Sequence, residues 1–161
     1  MLNWFKKGKK DQTAVQKRAE IVPMKPINYP AKIILAWAKA IEGNDEILLW
    51  LKDNGFEELT MATYAILLKD EAREWLPKNG YPQLLAFINA AEGNEKAQRW
   101  LFLNDMELLY HMALAIEDEQ PSWEWLGQNA TADLFLLTRT IKKVKDDIEE
   151  NHNDIHSFRK D

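Results

Sequence analysis

Four Trp-Leu pairs, Trp50-Leu51, Trp75-Leu76, Trp100-Leu101 and Trp125-Leu126, follow one another at a spacing of 25 residues. A period held three times in succession marks a repeat architecture, and this constrains the fold more than any other property of the chain. The same register carries Asn54, Asn79, Asn104 and Asn129, four residues after each Trp. It also carries Ile34, Leu59, Leu84, Leu109 and Leu134, then Ala40, Ala65, Ala90 and Ala115, then Ile41, Ile66, Ala91, Ile116 and Ile141. Within a unit the apolar positions recur in steps of three and four, as on a helix face, while Gly43-Asn44 and Asn54-Gly55 break the pattern. Each unit therefore reads as helix, turn, shorter helix, turn.

The expected helices cover about 31–42, 45–53, 57–68, 70–76, 82–92, 95–103, 106–117 and 121–127, with a last long helix from 131. Short connections make each pair antiparallel. The fold class that follows is all-α: a solenoid of about four stacked helix pairs (units about 30–54, 55–79, 80–104 and 105–129) with a long C-terminal capping helix, 131–158. A second period overlays the first. Units one and three share Ala40-Ile41-Glu42-Gly43-Asn44 and Ala90-Ala91-Glu92-Gly93-Asn94, whereas units two and four do not, as in a duplicated 50-residue double unit. The Asn column is expected to close helices in a left-handed conformation or to cap the next helix. The Trp column is expected to form an aromatic ridge that packs one unit on the next.

Residues 43–55, Gly-Asn-Asp-Glu-Ile-Leu-Leu-Trp-Leu-Lys-Asp-Asn-Gly, resemble the second helix of an ankyrin repeat, and Ala90-Ala91-Glu92-Gly93-Asn94 resembles the end of an ankyrin first helix. The period here is shorter than the family's roughly 33 residues, the Thr-Pro-Leu-His start is absent, and no residues remain for the β-turn finger. The resemblance implies a stacked helical array that binds another protein.

Charge separates a tail from a body. Residues 1–25 hold seven cations and two anions, a net +5, whereas the other 136 residues hold 14 cations and 24 anions, a net −10. An acidic body repels phosphate backbones, so no nucleic-acid partner is expected for the folded part. Residues 1–27 are expected to be a flexible basic arm and 28–161 a single helical domain. In the arm, Leu2, Trp4 and Phe5 precede Lys6, Lys7, Lys9 and Lys10, an apolar tip beside a cationic cluster that suits weak contact with an anionic membrane surface. The chain has no cysteine, which fits the cytoplasm with a peripheral membrane contact as the variant.

From residue 131 the apolar positions become Leu134, Leu137, Ile141, Val144, Ile148, Ile155 and Phe158, a heptad seam that reads as a solenoid cap or a homodimer contact. Chemistry has little raw material. The chain has two serines, Ser122 and Ser157, and three histidines, His111, His152 and His156. His152 and His156 have metal-ligand spacing without a third ligand from the core, and His111 reads as a partly buried structural histidine. The acidic clusters Asp70-Glu71-Glu74 and Glu117-Asp118-Glu119 read as solvated helix starts. No catalytic, cofactor or metal site is expected, and the chain is not read as an enzyme.

The expected function is a non-catalytic protein–protein interaction module. Its contact positions would be Lys39, Tyr64, Asn89 and Leu114, one residue before the Ala column, with Thr60, Leu85 and Tyr110 on the preceding face. The alternatives are an acidic inhibitor of the toxin-neutralising kind and a membrane-surface adaptor using the arm.

Overall fold

The computed structural model describes the backbone of residues 22–158 and the side chains of residues 22–152. Among these residues nine helices follow in order: α1 Ala31–Ile41, α2 Asp45–Asp53, α3 Glu57–Ile66, α4 Asp70–Lys78, α5 Pro82–Ala91, α6 Glu95–Leu103, α7 Glu107–Ile116, α8 Gln120–Asn129 and α9 Ala132–Phe158. The all-α array of stacked helix pairs is thus observed, with bounds close to those read from the repeat. α4 runs two residues past its expected end, through Pro77, which has no N–H to offer the Arg73 carbonyl.

The stack does not stay open. α1, α3, α5 and α7 pack side by side, α9 packs on α7, and α9 packs most extensively of all on α1. The odd-numbered helices form a closed ring, with α2, α4, α6 and α8 outside it. Since the chain reverses at every short turn, the five ring helices run parallel. An open array must cap both terminal faces with polar residues; here α9 covers both at once.

The repeated columns become layers of the ring. Trp37, Ala62, Phe87, Met112 and Leu137, one from each ring helix, are all buried and form the middle layer. Ala62 leaves room beside Trp37, whose indole N–H donates to Thr63 Oγ1 at 3.0 Å while the Thr63 hydroxyl donates to the Leu59 carbonyl at 2.8 Å. Ile41, Ile66, Ala91, Ile116 and Ile141 make the layer at the C-terminal end. The buried Ala40, Ala65, Ala90 and Ala115 allow close approach between neighbouring helices, with Thr140 in the fifth place.

The Asn column closes the outer helices by a single device. Asn54, Asn79, Asn104 and Asn129 each donate a side-chain N–H to the carbonyl of the Trp four residues earlier, at 2.7–2.9 Å. This corrects the expected left-handed Asn: Asn54, Asn79 and Asn104 keep negative φ, and the left-handed residue is the next one, Gly55, Gly80 or Asp105. Nor do Asn54 and Asn104 cap the following helices, whose N-cap positions are Phe56 and Met106. Asn44 and Asn94 do cap, accepting from the Ile47 and Ala97 amides at 3.0 Å, which explains the motif shared by units one and three. The Trp column is no continuous ridge. Trp50 and Trp75 stack on Phe56 and Tyr81, which begin the next unit, whereas Trp125 stacks on His111.

Of the expected arm, residues 1–21 lie outside the described residues, whereas residues 22–27 form with 28–30 a strap across the N-terminal ends of the ring helices. The Lys25 amide donates to the Gly80 carbonyl at 2.8 Å, Gln83 Nε2 donates to the Lys25 carbonyl at 2.5 Å, and the Tyr29 hydroxyl donates to the buried Glu58 carboxylate at 2.7 Å. Gly80 is glycine for two reasons: its φ is +94°, and a Cβ there would lie 2.9 Å from the Pro23 carbonyl oxygen.

Candidate functional site

A closed ring has no concave inner face, so its accessible surfaces are the outer helices and the two ends. The ends differ. At the N-terminal end the strap residues Ile27 and Tyr29 help to line an open pocket of about 460 Å³, with Trp125, Leu108 and Leu134 among its walls. At the C-terminal end a groove of about 450 Å³ opens above the core. Its floor is Phe87 and Ala91, its walls are Ile66, Leu68, Ile88, Ile141 and Ile148, and Glu92, Lys145, Glu149 and His152 stand at its rim.

Three features of the chain build this mouth. The first is Ala91, the one small residue in a column otherwise filled by isoleucine, which leaves the floor open down to Phe87. The second is the length of α9. Its 27 residues span about 40 Å against about 15 Å for its ring partners, so it passes the end of the ring and presents Ile148 as a wall. The heptad seam therefore faces the ring as far as its side chains are described: Leu137 and Ile141 are buried, and Leu134, Val144 and Ile148 are half-buried. The side chains of Ile155, His156 and Phe158 lie outside the described residues.

The third feature is the turn after α3. The equivalent turns read Glu42-Gly43, Glu92-Gly93 and Glu117-Asp118, whereas this one reads Leu67-Leu68. All four second positions are left-handed, with φ of +110°, +67°, +91° and +66° in chain order. Leucine is a poor choice there, since a Cβ opposes the left-handed conformation by roughly 1–2 kcal/mol. Leu68 is also 54 % exposed, with Leu67 exposed beside it, so this turn spends neither residue on the core.

The end face around the mouth is acidic. The four turns 42–46, 67–71, 92–96 and 117–121 carry ten anions against two cations, Lys69 and Lys96, most of the body's −10. The ring helices end and the outer helices begin at this face, so their dipoles oppose one another and the acidity is that of the side chains. Glu117 and Asp118, expected as solvated caps at a helix start, instead sit at the C-terminal end of α7 and hold α9. Lys145 pairs with Glu117, and Lys142 pairs with Asp118 at 2.7 Å. The Lys142 hydrogen bond keeps the Asp118 carboxyl below its usual range. On the next unit boundary Arg73 forms a two-pronged pair with Glu92 and also donates to Asn89 Oδ1 and to the Ala65 carbonyl.

The sequence-predicted contact residues do not gather on one face, because equivalent positions of a closed ring point in different directions. Lys39 is exposed and pairs with Glu42. Thr60 is buried, its hydroxyl donating to the Leu48 carbonyl at 2.9 Å. Half-buried Tyr64 lies under the Lys69 ammonium, 4.4 Å from its ring centre. Leu85 and Asn89 line a cleft against α4. Leu114 is half-buried, and Tyr110 packs on Phe102 at 5.5 Å between ring centres. That last contact belongs to a second apolar departure from the repeat: Phe102-Leu103, 64 % and 69 % exposed, stand where other units have Lys52-Asp53, Pro77-Lys78 and Gly127-Gln128. Leu2, Trp4, Phe5, Lys6 and Lys7 lie outside the described residues.

One pairing was not expected. His111 Nδ1 and Ser122 Oγ lie 3.0 Å apart, and the imidazole stacks on Trp125 at 4.1 Å between centres. A Ser–His pair is the start of a nucleophilic site, but this hydroxyl belongs to a side chain only 3 % exposed, and its geometry fastens α7 to α8. Burial lowers the His111 pKa, against a smaller opposing pull from Glu107. Among the described residues no three His, Asp or Glu gather as metal ligands, and no helix is long and apolar enough to cross a membrane. No protein family, curated protein or solved structure matches the chain.

Proposed function

We propose that this chain is a non-catalytic protein–protein interaction module, and that its docking site is the mouth at the C-terminal end of the ring. The observation that carries the proposal is Leu67-Leu68. The repeat serves as its own control: three turns of the same geometry use Glu followed by Gly or Asp, and the fourth holds two exposed leucines, one of them left-handed, at the edge of an apolar groove. Exposed apolar side chains beside a cavity mark an interaction site when folding gains little from them. The acidic face selects the partner, which would be a segment with apolar anchors and flanking Lys or Arg. The ankyrin resemblance of residues 43–55 points in the same direction. An acidic inhibitor of a basic enzyme is the second reading, favoured by the same charge.

The test is a photo-crosslinking residue at position 68 compared with one at Lys39, in the living cell. Adducts at 68 whose linked segment is cationic and apolar, and which disappear with Leu67→Asp, are the expected result. Equal adducts at both positions, or none at 68, would overturn the proposal.

A further inference from the structure

Resting on this reading of the mouth, we infer that its resident occupant is the chain's own N-terminal segment, Leu2 to Lys10, docked in cis. The segment has the chemistry that the mouth selects. Leu2, Trp4 and Phe5 supply apolar anchors, and Lys6, Lys7, Lys9 and Lys10 supply four cations directly after them. The four turns of the end face hold ten anions against two cations; Glu42, Glu92, Glu117 and Asp118 are paired with Lys39, Arg73, Lys145 and Lys142, which leaves Asp45, Glu46, Asp70, Glu71, Glu95 and Glu119 against Lys69 and Lys96 around the apolar groove. The charges of this chain are thus split between two parts that complement each other.

Reach allows the contact. Residue 22 begins the strap at the N-terminal end of the ring, where the Lys25 amide meets the Gly80 carbonyl. From residue 22 back to Phe5 the chain has 17 residues, enough for roughly 55 Å when extended. The ring helices have 10 or 11 residues in α1, α3, α5 and α7, about 15 Å of helix axis, so the route from one end of the ring to the other is well within reach. Tethering also makes a weak contact sufficient, because a short linker holds its segment at an effective concentration on the order of millimolar. A partner with the same chemistry would have to displace the segment, so the arm would act as a built-in competitor.

The absence of cysteine allows a clean test on the full chain. A nitroxide on Gly8→Cys is combined with methyl NMR of Ile66, Leu68, Ile88 and Ile148. The expected result is selective broadening of these methyls, unchanged on dilution, reduced by added salt, and lost in Leu68→Asp and in the variant with Lys6, Lys7, Lys9 and Lys10 changed to Glu. Mixing labelled Gly8→Cys chains with isotope-labelled cysteine-free chains should give no broadening of the latter. Broadening between chains would overturn docking in cis. Broadening at Leu108 and Leu134 instead, or at no methyl, would overturn the site. So would an arm that responds only to vesicles containing phosphatidylserine, which would make it a membrane contact. A negative result here with position 68 still crosslinking to another protein rejects this inference alone, whereas failure of both rejects the mouth as a docking site.

Discussion

Replacing Leu68 by glycine and by alanine separates what this residue does for the fold from what it does at the mouth. At an ordinary helical position Gly is less favourable than Ala by about 1 kcal/mol. At φ +67° the order should reverse, because a Cβ costs roughly 1–2 kcal/mol in the left-handed region. The freer unfolded chain of a glycine variant returns about 0.4–1 kcal/mol of that. Leu68→Gly should therefore be more stable than Leu68→Ala by about 0.5–1 kcal/mol. The leucine itself is 54 % exposed, so its partial burial contributes about 1 kcal/mol, similar in size to the backbone strain that glycine relieves. Wild type and Leu68→Gly should consequently lie within about 1 kcal/mol of each other, or about 2–4 °C in Tm, while docking at the mouth is lost in both variants. Thermal and urea unfolding followed by circular dichroism measure the first two quantities, and the methyl broadening measures the third. If alanine proves as stable as glycine, position 68 is not held left-handed. If both variants lose more than about 2 kcal/mol, Leu68 is a packing residue and the argument for a docking site fails.

Restoring the column with Ala91→Ile should fill the floor of the groove, cost no more than about 1–3 kcal/mol of stability, and remove docking; retained docking would place the contact elsewhere. Leu137→Ala, in the middle layer of the helix that closes the ring, should cost about 2–5 kcal/mol by denaturant unfolding, and a loss under 1 kcal/mol would argue against closure by α9. Tyr29→Phe removes the hydroxyl bonded to the buried Glu58 carboxylate and should cost about 1.5–3 kcal/mol at pH 7. Burial, then the Glu58 hydrogen bond, raises the Tyr29 pKa; this stabilisation is complete below the free tyrosine value of about 10 and is lost as pH rises past it. The gap between wild type and Tyr29→Phe should therefore narrow in melts above pH 10, and a constant gap would contradict the assignment. Burial lowers the His111 pKa, so its contribution is present above about pH 6.5 and is lost as the solution is acidified. His111→Gln should flatten the fall in Tm between about pH 7 and 5.

Much of this architecture was legible in the chain because a repeat reports each structural role several times. The Ala and Ile columns, the Gly and Asn turns and the doubled 50-residue period all correspond to helix contacts or caps in the structure. The closure of the ring was not legible. Leu134, Leu137 and Ile141 look the same in sequence whether they cap the last unit, meet a second chain or return to α1, since periodicity identifies an apolar face and not its partner. The strap was missed for a related reason. Residues 22–30 lack helical periodicity, and their attachment runs through single polar groups, the Lys25 backbone, Gln83 and Tyr29. The mouth stood in plain view as two irregularities, Ala91 among isoleucines and Leu67-Leu68 among Glu-Gly and Glu-Asp, but only the fold brings them to the same groove. The same limit applies to Lys39, Tyr64, Asn89 and Leu114. Equivalent in register, they would share a face on a straight array, and on a ring they are distributed around it.

Closure also determines where such a protein is able to bind. An open solenoid offers an extended concave surface, and its partners lie along it. Once α9 meets α1, that surface becomes the core, filled by Trp37, Phe87 and Met112, and recognition must move to the ends or the rim. The ends differ in side-chain charge: the turns 42–46, 67–71, 92–96 and 117–121, with their ten anions, all lie where the ring helices end. The strap crosses the first side, with Glu58 buried at the start of α3, and leaves a pocket beside Ile27 and Tyr29. The second side carries ten anions in four turns, four of them paired with Lys39, Arg73, Lys142 and Lys145, and has an apolar groove above Phe87. On such a ring recognition falls to the ends and the outer helices, and at the C-terminal end the turn that departs from the repeat at low stability cost, Leu67-Leu68, stands at the edge of an apolar groove.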